Sequence, residues 1–317
     1  MTTLSPTGFL SIDGAELEYR MIGPAPEAAP TLVLLHEGLG SVGLWGDFPQ
    51  ELQARTGMGV FVYSRAGYGA SSPAKLPRPM DYMHREALEV LPKILDTIGF
   101  RRGLLLGHSD GASIAAIYAG GIQDHRVRGL ALIAPHFIVE DISVKSIAAL
   151  RTMYEQGDLK PKLARWHSNV DNAFYGWNGA WLDPTFRDWD ISDYLAYVRV
   201  PVAIVQGEDD RYGTVRQIEI AQEECYCPVD ISLIAGAGHS PHREAADTTL
   251  ATIVTGTMNG KSGHAEIPMN GIAAIVEKSQ PIPYIPALKP RACHALRRTN
   301  GEREGSKSAR SANGQNG

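Results

Sequence analysis

The sequence predicts an α/β fold in which helices cover both faces of a mostly parallel central sheet. Short, continuous apolar runs recur along the chain, as expected for strands that are buried on both faces. Segments that suit helices lie between these runs, and this alternation is typical of parallel sheets. Polar, reactive side chains follow several of the runs directly, at the edge where such sheets bind their ligands.

The first predicted element is a β-hairpin. Residues 8–14 and 17–23 alternate between apolar and polar side chains, and Asp13-Gly14 breaks the pattern. An Asp-Gly pair favours the two-residue turns that join antiparallel strands. A Pro/Ala-rich linker then leads to the next element.

Two buried strands and two helices are predicted next. Residues 31–36 and 59–64 are continuous apolar runs, and residues 42–54 between them are compatible with a helix. A second helix is predicted over residues 82–98, where apolar side chains recur at three- and four-residue spacing. Pro92 is expected to kink this helix because proline lacks the backbone N–H donor.

A sharp turn between a strand and a helix is predicted around Ser109. An apolar run from Gly103 leads into Gly107-His-Ser-Asp-Gly111, and a small-residue apolar segment follows. This pattern is typical of a nucleophile elbow, which holds a serine in a strained conformation at the apex of the turn. Glycines at both ends let neighbouring backbone pass close to the turn. An ordinary strand-to-helix connection that contains glycines is the alternative interpretation.

Three further strands are predicted at residues 127–134, 200–205 and 229–234. Polar segments end two of these strands: Gln206-Gly-Glu-Asp-Asp210 and Gly236-Ala-Gly-His239. The chain therefore presents a serine, then acidic side chains, then a histidine at the ends of strands. Because ligands gather at the carboxyl ends of parallel strands, we expect these side chains to converge on one site.

In this order and with these motifs, the chain resembles the α/β-hydrolase fold superfamily over residues 8–258. The matching motifs are His36-Glu37-Gly38 after a central strand, Gly67-Tyr-Gly-Ala-Ser71, the elbow at Ser109, Gly207-x-x-Asp210 and Gly238-His239. The combination is far more specific than any one motif. The resemblance implies a core domain of residues 1–136 and 199–258, with a helical lid inserted at residues 137–198.

The resemblance also implies a catalytic triad. A serine hydroxyl is a poor nucleophile without an adjacent base, and His239 would supply that base to Ser109. Asp210 would hold the other ring nitrogen of the histidine, because the family places its acid three residues after the glycine of Gly207-x-x-Asp210. Asp209 and Glu208 stay open as alternatives for the acid, and His242, His36 and His108 as alternatives for the base.

By the same resemblance, backbone N–H groups of Gly38 and Asp110 would stabilise the oxyanion. Glu37 stands between His36 and Gly38, where a His-Gly pair is commoner, so Leu39 is an alternative second donor. The carboxylate of Glu37 either lies near the substrate or turns outward. The side chain of Asp110 is expected to be a favourable charge in the first turn of the elbow helix.

The predicted lid is rich in aromatic residues, since 11 of the chain's 24 fall in the 62 residues of 137–198. Most are expected to pack the lid against the core, and the others to line a pocket closed over Ser109. This enrichment favours a substrate with an apolar acyl or aromatic part. The candidate pocket residues are His36, Glu37, Trp45, Trp177 and Trp181.

The charge distribution disfavours nucleic acid as a partner. The chain carries a formal net charge of −5, although residues 260–317 contain nine Lys/Arg and only four Asp/Glu. The preceding residues are therefore acidic, and acidic surfaces repel phosphate backbones. The basic tail, residues 259–317, is rich in Gly, Pro, Ser and Asn and is expected to be disordered and dispensable for catalysis.

A cytoplasmic protein without a membrane partner is expected, because no apolar run approaches the length of a membrane span and the first residues do not resemble a secretory signal. The three cysteines have neither the spacing of a zinc site nor the number of a disulfide framework. No metal and no cofactor are therefore expected.

These observations predict a metal-free serine hydrolase that cleaves a carboxylic ester or lactone through an acyl-enzyme. The alternative within the enzymes is a carbon–carbon bond hydrolase of a vinylogous diketone from aromatic-ring breakdown. The alternative from another class is a ligand receptor with a vestigial triad. The sequence leaves substrate identity, stereochemistry and oligomeric state open.

Overall fold

An eight-stranded sheet forms the centre of the computed structural model, which describes residues 4–255. The strands are β1 (Thr7–Ile12), β2 (Ala15–Ile22), β3 (Thr31–Leu35), β4 (Gly59–Tyr63), β5 (Gly103–His108), β6 (Val127–Ile133), β7 (Val202–Gly207) and β8 (Val229–Ile234). Their order across the sheet is β1-β2-β4-β3-β5-β6-β7-β8. Strands β3 to β8 are parallel, whereas β2 runs antiparallel to both of its neighbours. The predicted α/β-hydrolase fold class is confirmed.

The hairpin of β1 and β2 has its turn at the predicted pair, Asp13-Gly14. Ile12 is paired with Ala15, so that Asp13 and Gly14 alone form the loop. Both have positive φ, 50° and 81°. A two-residue turn of this kind matches the twist of the strands, and glycine adopts it without steric strain.

Eleven α-helices occur among the described residues. They are α1 (Phe48–Thr56), α2 (Tyr82–Arg85), α3 (Leu91–Thr97), α4 (Asp110–Gly121), α5 (Asp141–Gln156), α6 (Leu159–Leu163), α7 (Val170–Trp181), α8 (Ser192–Leu195), α9 (Val215–Glu224), α10 (Pro241–Glu244) and α11 (Ala246–Thr255). Short 3₁₀ helices lie at Gly43–Trp45 and Pro184–Asp188. A π-helical segment, Glu86–Val90, connects α2 to α3. The irregularity predicted at Pro92 therefore lies just before the proline.

The sheet separates two apolar cores, because successive strand side chains point to opposite faces. Val33 and Leu35 of β3 face the core that holds α3, α4 and α9, whereas Leu32 and Leu34 face the core that holds α1 and α11. All four leucine and valine side chains are at most 1% exposed. Burial on both faces explains why the central strands read as continuous apolar runs.

The insert between β6 and β7 is helical and contains α5 to α8. Its aromatic residues mostly pack against one another, as in the stack of Tyr154 on Phe174 with ring centroids 3.7 Å apart. Phe186 and Trp189 form a second stack at 5.4 Å. The role of this insert as a lid remains a prediction, and so do the domain boundaries at residues 136 and 199.

Two further sequence predictions concern the basic tail and membrane-spanning segments. The basic tail, residues 259–317, lies outside the described residues. Within residues 4–255, no helix is long and apolar enough to cross a membrane.

Candidate active site

Ser109 occupies the turn between β5 and α4. Its φ of 53° and ψ of −119° are strained for a residue with a side chain, and its N–H donates to Ile133 O at 2.9 Å. A Cβ on Gly107 would collide with Gly111 O, and one on Gly111 would collide with Leu35 O. The two glycines thus permit the close backbone packing that holds the turn, as the elbow pattern requires.

The three sequence-predicted triad side chains meet at the carboxyl edge of the sheet. His239 Nε2 lies 2.9 Å from Ser109 Oγ. His239 Nδ1 lies 2.8 Å from Asp210 Oδ2 and 3.0 Å from Oδ1. Because a carboxylate only accepts, Nδ1 carries the proton and Nε2 faces the serine hydroxyl as an acceptor. The geometry suits proton transfer from Ser109 to His239.

Asp210 is held as a carboxylate by donors on three sides. Burial raises its pKa, but hydrogen bonds from the His239 ring, the Tyr212 N–H and the Gln206 amide outweigh that effect and hold the pKa below its usual range. The last two donors lie 2.7 Å from the carboxylate. The alternative acid, Asp209, has an exposed side chain, and its backbone N–H donates to Ala237 O at 2.9 Å.

The loop after β3 is clamped from behind by Arg65. The guanidinium donates to the carbonyl oxygens of His36 and of Glu37, the latter at 2.9 Å. Glu37 O also accepts from His36 Nδ1 at 2.7 Å and from Gly40 N at 3.1 Å. Since the C=O of Glu37 and the N–H of Gly38 share one trans peptide plane, the N–H of Gly38 points away from Arg65. Gly38 lines the cavity in front of Ser109.

Asp110 begins helix α4 and supplies the other predicted oxyanion donor. The carbonyl of Ser109 accepts from Ala112 N and Ser113 N, so the Asp110 N–H of the same peptide points away from the helix. The Asp110 carboxylate is completely buried, and it accepts from Tyr82 Oη at 2.5 Å and from Trp181 Nε1 at 3.2 Å. Burial raises its pKa despite these bonds. Its side chain is therefore the centre of a buried polar cluster, and not simply a charge at a helix terminus.

Glu37 turns toward the site and faces a second histidine. Its Oε2 lies 3.5 Å from Nδ1 of the buried His108, and Glu37 lines the cavity. Burial raises the pKa of Glu37, but the imidazoles of His108, His36 and His242 outweigh it and hold the pKa well below its usual range. His108 Nε2 donates to the carbonyl oxygen of His239 at 2.8 Å. His108 is therefore hydrogen-bonded to the loop that carries His239 and lies beside Glu37.

A cavity of about 470 Å³ opens in front of Ser109. One wall is apolar and comes from the insert, with Ile147, Leu150, Trp177 and Trp181. A polar wall includes Asp209, Arg211, Tyr212 and Glu244, all from the segments that follow β7 and β8. A site of this size with one apolar and one polar wall suits a small organic substrate.

Two predicted pocket residues are corrected by the structure. His36 is completely buried behind the loop, where its Nε2 accepts from Arg65 N at 3.0 Å. Trp45 packs against Phe48 and His242 and lines a separate groove of about 280 Å³. Neither side chain lines the cavity of Ser109, because His36 is buried beside Arg65 and Trp45 is buried in the core that holds α1 and α11. Glu37, Trp177 and Trp181 line the cavity.

Sequence reasoning missed three residues around the site. His136 lies three residues after the end of β6, and its ring lies 5.5 Å from that of His239. Burial and the His239 imidazole hold the pKa of His136 well below its usual value. Tyr212 packs on the His239 ring at 4.7 Å, and Arg65 clamps the loop after β3. The position of His136 at the end of a parallel strand was the one available sequence signal.

No group of three or more His, Cys, Asp or Glu side chains suited to a metal ion occurs in residues 4–255. Cys225 and Cys227 are free cysteines on the far edge of the sheet, between α9 and β8.

Comparison with known proteins gives consistent results over most of the chain. The alpha/beta hydrolase family matches residues 32–252. Proline iminopeptidase of Lactobacillus helveticus (strain DPC 4571) is 23% identical over 290 residues, which cover 78% of this chain and 95% of that protein.

Solved structures share the architecture at low identity. An enol-lactonase from Burkholderia xenovorans LB400 has a TM-score of 0.61 at 18% identity, covering 77% of this chain and 97% of that one. An esterase from Rhodococcus sp. ECU1013 has a TM-score of 0.58 at 18% identity, covering 80% and 97%. At these identities the similarity establishes the shared fold.

Proposed function

The chain belongs to the alpha/beta hydrolase family, and we propose that within it the protein is a serine hydrolase of small carboxylic esters or lactones. The observation that carries the proposal is the chain of contacts from Asp210 through His239 to Ser109 Oγ, with Ser109 and His239 lining a cavity. Names of structural neighbours, an enol-lactonase and an esterase, are compatible with it.

In the proposed reaction, Ser109 Oγ attacks the substrate carbonyl carbon while His239 Nε2 takes the hydroxyl proton. Asp210 keeps the imidazole in the tautomer that can accept this proton and stabilises the imidazolium that results. The imidazolium then protonates the leaving alkoxide, which gives an acyl-enzyme. Water attacks the acyl-enzyme with His239 again as the base, which releases the acid and restores Ser109.

Backbone donors would stabilise the charge that develops on the carbonyl oxygen. The N–H groups of Gly38 and Asp110 both point away from carbonyls that are engaged elsewhere, and both residues line the cavity. Arg65 and the N-terminal turn of α4 fix these two peptide planes in advance. Such preorganised donors each contribute about 10²–10³-fold to kcat in acyl-transfer enzymes.

The apolar wall supports a substrate with an apolar or aromatic part. Ile147, Leu150, Trp177 and Trp181 come from the insert and line the cavity together with Ser109. Burying one methylene against such a wall is worth about 0.8 kcal/mol. We therefore expect activity to rise with acyl chain length until the cavity is full.

A second candidate is an aminopeptidase that removes an N-terminal residue. A relative that this chain matches over 95% of the relative's length is named proline iminopeptidase. The carboxylates of Glu37 and Asp209 line the cavity, and a carboxylate is a suitable partner for a free N-terminal ammonium group. The two candidates share the triad and differ in the leaving group and in the charge of the substrate.

The experiment is a substrate panel on the purified protein and on its Ser109→Ala variant. The panel contains p-nitrophenyl esters of increasing acyl length, aliphatic and aromatic lactones, proline p-nitroanilide and a vinylogous diketone. We expect ester or lactone turnover that rises with apolar character, with a loss of at least about 10³-fold in the variant. A fluorophosphonate probe should label the wild-type protein and not the variant.

Each other outcome contradicts the proposal in a recognisable way. Preference for proline p-nitroanilide over all esters would establish the aminopeptidase. Cleavage of the diketone with negligible ester turnover would indicate a carbon–carbon bond hydrolase. Labelling without turnover of any compound would favour a ligand receptor.

A further inference from the structure

Helix α7 places two tryptophans beside the two residues proposed as backbone donors. Trp181 Nε1 donates to the carboxylate of Asp110 at 3.2 Å. Trp177 lies against Gly38, so closely that a Cβ at that position would collide with Trp177 Nε1. Residues four apart share one face of a helix, so this face of α7 spans the space between Gly38 and Asp110. Both tryptophans line the cavity with Ser109.

The two indole N–H groups differ in their partners. Trp181 Nε1 is occupied by Asp110, whereas Trp177 Nε1 has no hydrogen-bond acceptor among residues 4–255. The Trp177 side chain is only 6% exposed. Buried donors are nearly always paired, and because Trp177 lines the cavity, a ligand bound there can supply the acceptor that its N–H lacks.

Helix α7, which carries Trp177, is held by hydrogen bonds at its N-terminal end. Asn169 caps the helix by accepting from Asn172 N at 3.0 Å. Asn172 in turn bonds both the N–H and the C=O of Ala74, each at 2.9 Å. A donor held in this way need not reorganise during a reaction, which is the condition under which a hydrogen bond stabilises a transition state most effectively.

We propose that the Trp177 indole N–H is a third donor to the oxyanion, in addition to the N–H groups of Gly38 and Asp110. The inference rests on the proposed function. As Ser109 Oγ forms its bond to the carbonyl carbon, the π electrons of the C=O move to the oxygen and the hydroxyl proton moves to His239. Trp177 Nε1–H donates to that oxygen from the side of Gly38, so the insert supplies a catalytic group.

The test is a Trp177→Phe variant, which retains an aromatic ring and removes the N–H. We expect kcat to fall by about 100-fold, with KM within about threefold, because the donor acts on charge that develops only in the transition state. The rate constant for inactivation by the fluorophosphonate should fall by a similar factor, since its phosphoryl oxygen takes the place of the oxyanion. Benzothienylalanine at position 177 retains the shape of the indole without its N–H and should give the same result.

A matched control is Trp189→Phe. Trp189 lies in the same insert, is 8% exposed, and also has an Nε1 without an acceptor among the described residues. It does not line the cavity of Ser109. We expect this variant to retain kcat and the inactivation rate within about twofold, since it removes the same group away from the reacting atoms.

The outcomes separate this inference from the proposed function. If the wild-type protein is labelled but turns over no ester or lactone, the proposed function fails, while the inactivation rates still decide the role of Trp177. If benzothienylalanine at position 177 leaves both kcat and the inactivation rate unchanged, or raises KM alone, Trp177 is only a packing residue. If the wild-type protein is not labelled, both proposals are wrong.

Discussion

Asp209 and Asp210 are adjacent and chemically identical, but the backbone directs their side chains to different surroundings. The N–H of Asp209 bonds the loop before His239, and its side chain is exposed. Asp210 is turned inward, where Tyr212 N, Gln206 and His239 all donate to it. The choice between them therefore depends on local hydrogen bonds from Gln206 and Tyr212 together with contacts to the distant loop that holds Ala237 and His239.

We predict that Asp210→Asn lowers kcat by about 10³–10⁴-fold. An asparagine can donate as well as accept, so it no longer enforces the tautomer of His239 that accepts the serine proton. Steady-state kinetics with the best ester of the panel, together with a thermal melt to verify folding, provide the measurement.

The matched variant Asp209→Asn should retain kcat within about tenfold, because its exposed side chain does not contact His239. If Asp209→Asn were the more damaging of the two, the assignment of the acid would be wrong.

At the scale of elements, the connection from α4 to β6 is secured by one carboxylate. Asp124 accepts from Tyr118 Oη at 2.6 Å and from the backbone and guanidinium of Arg126 at 2.7–3.1 Å. Its side chain is 7% exposed. Burial raises the pKa of Asp124, but these hydrogen bonds outweigh it and hold the pKa below its usual range.

We predict that Asp124→Asn lowers the free energy of unfolding at pH 7 by about 1.5–3 kcal/mol. Because the folded pKa lies below the unfolded value of about 3.9, the stabilisation is complete above that pH and is lost as the pH falls through the folded pKa. The difference between wild type and variant should therefore shrink below about pH 4. Urea unfolding at a series of pH values measures it.

Asp96→Asn serves as the control, since Asp96 pairs with the same arginine but is 69% exposed. Its loss should stay below about 1 kcal/mol. If the loss in free energy of unfolding caused by Asp124→Asn did not vary with pH, the electrostatic explanation would be wrong.

At the scale of the molecule, the site is produced by the parallel sheet. Strands β3, β5, β6, β7 and β8 all end at one edge, and the loops that follow them supply the polar wall and the proposed triad. The apolar wall comes from the insert between β6 and β7. Among residues 4–255, those that line the cavity run from Glu37 to Glu244.

We predict that deletion of residues 260–317 leaves kcat/KM within about twofold of the full-length value. The segment is rich in Gly, Pro, Ser and Asn, a composition that does not favour packing against the domain, so its removal should cost few contacts. The assay is the ester panel on both proteins, with a thermal melt. Loss of folding or of activity would show that the tail is not dispensable.

The sequence alone determined the sheet, the elbow and the order of serine, acid and histidine. Buried strands must be apolar on both faces, and the elbow needs glycine where a Cβ at 107 or 111 would strike backbone. These constraints are local, so they are visible in a single segment.

Only the tertiary structure decided which side chains share the cavity. Trp45 and Trp177 were equal candidates for the pocket on sequence alone. In the structure Trp45 lines a separate groove, whereas Trp177 lies against Gly38 in the cavity of Ser109. His136 and Arg65 come from the segments after β6 and β4, and no short motif marked either of them. Their placement depends on contacts between segments far apart in the chain, which periodicity and spacing do not encode.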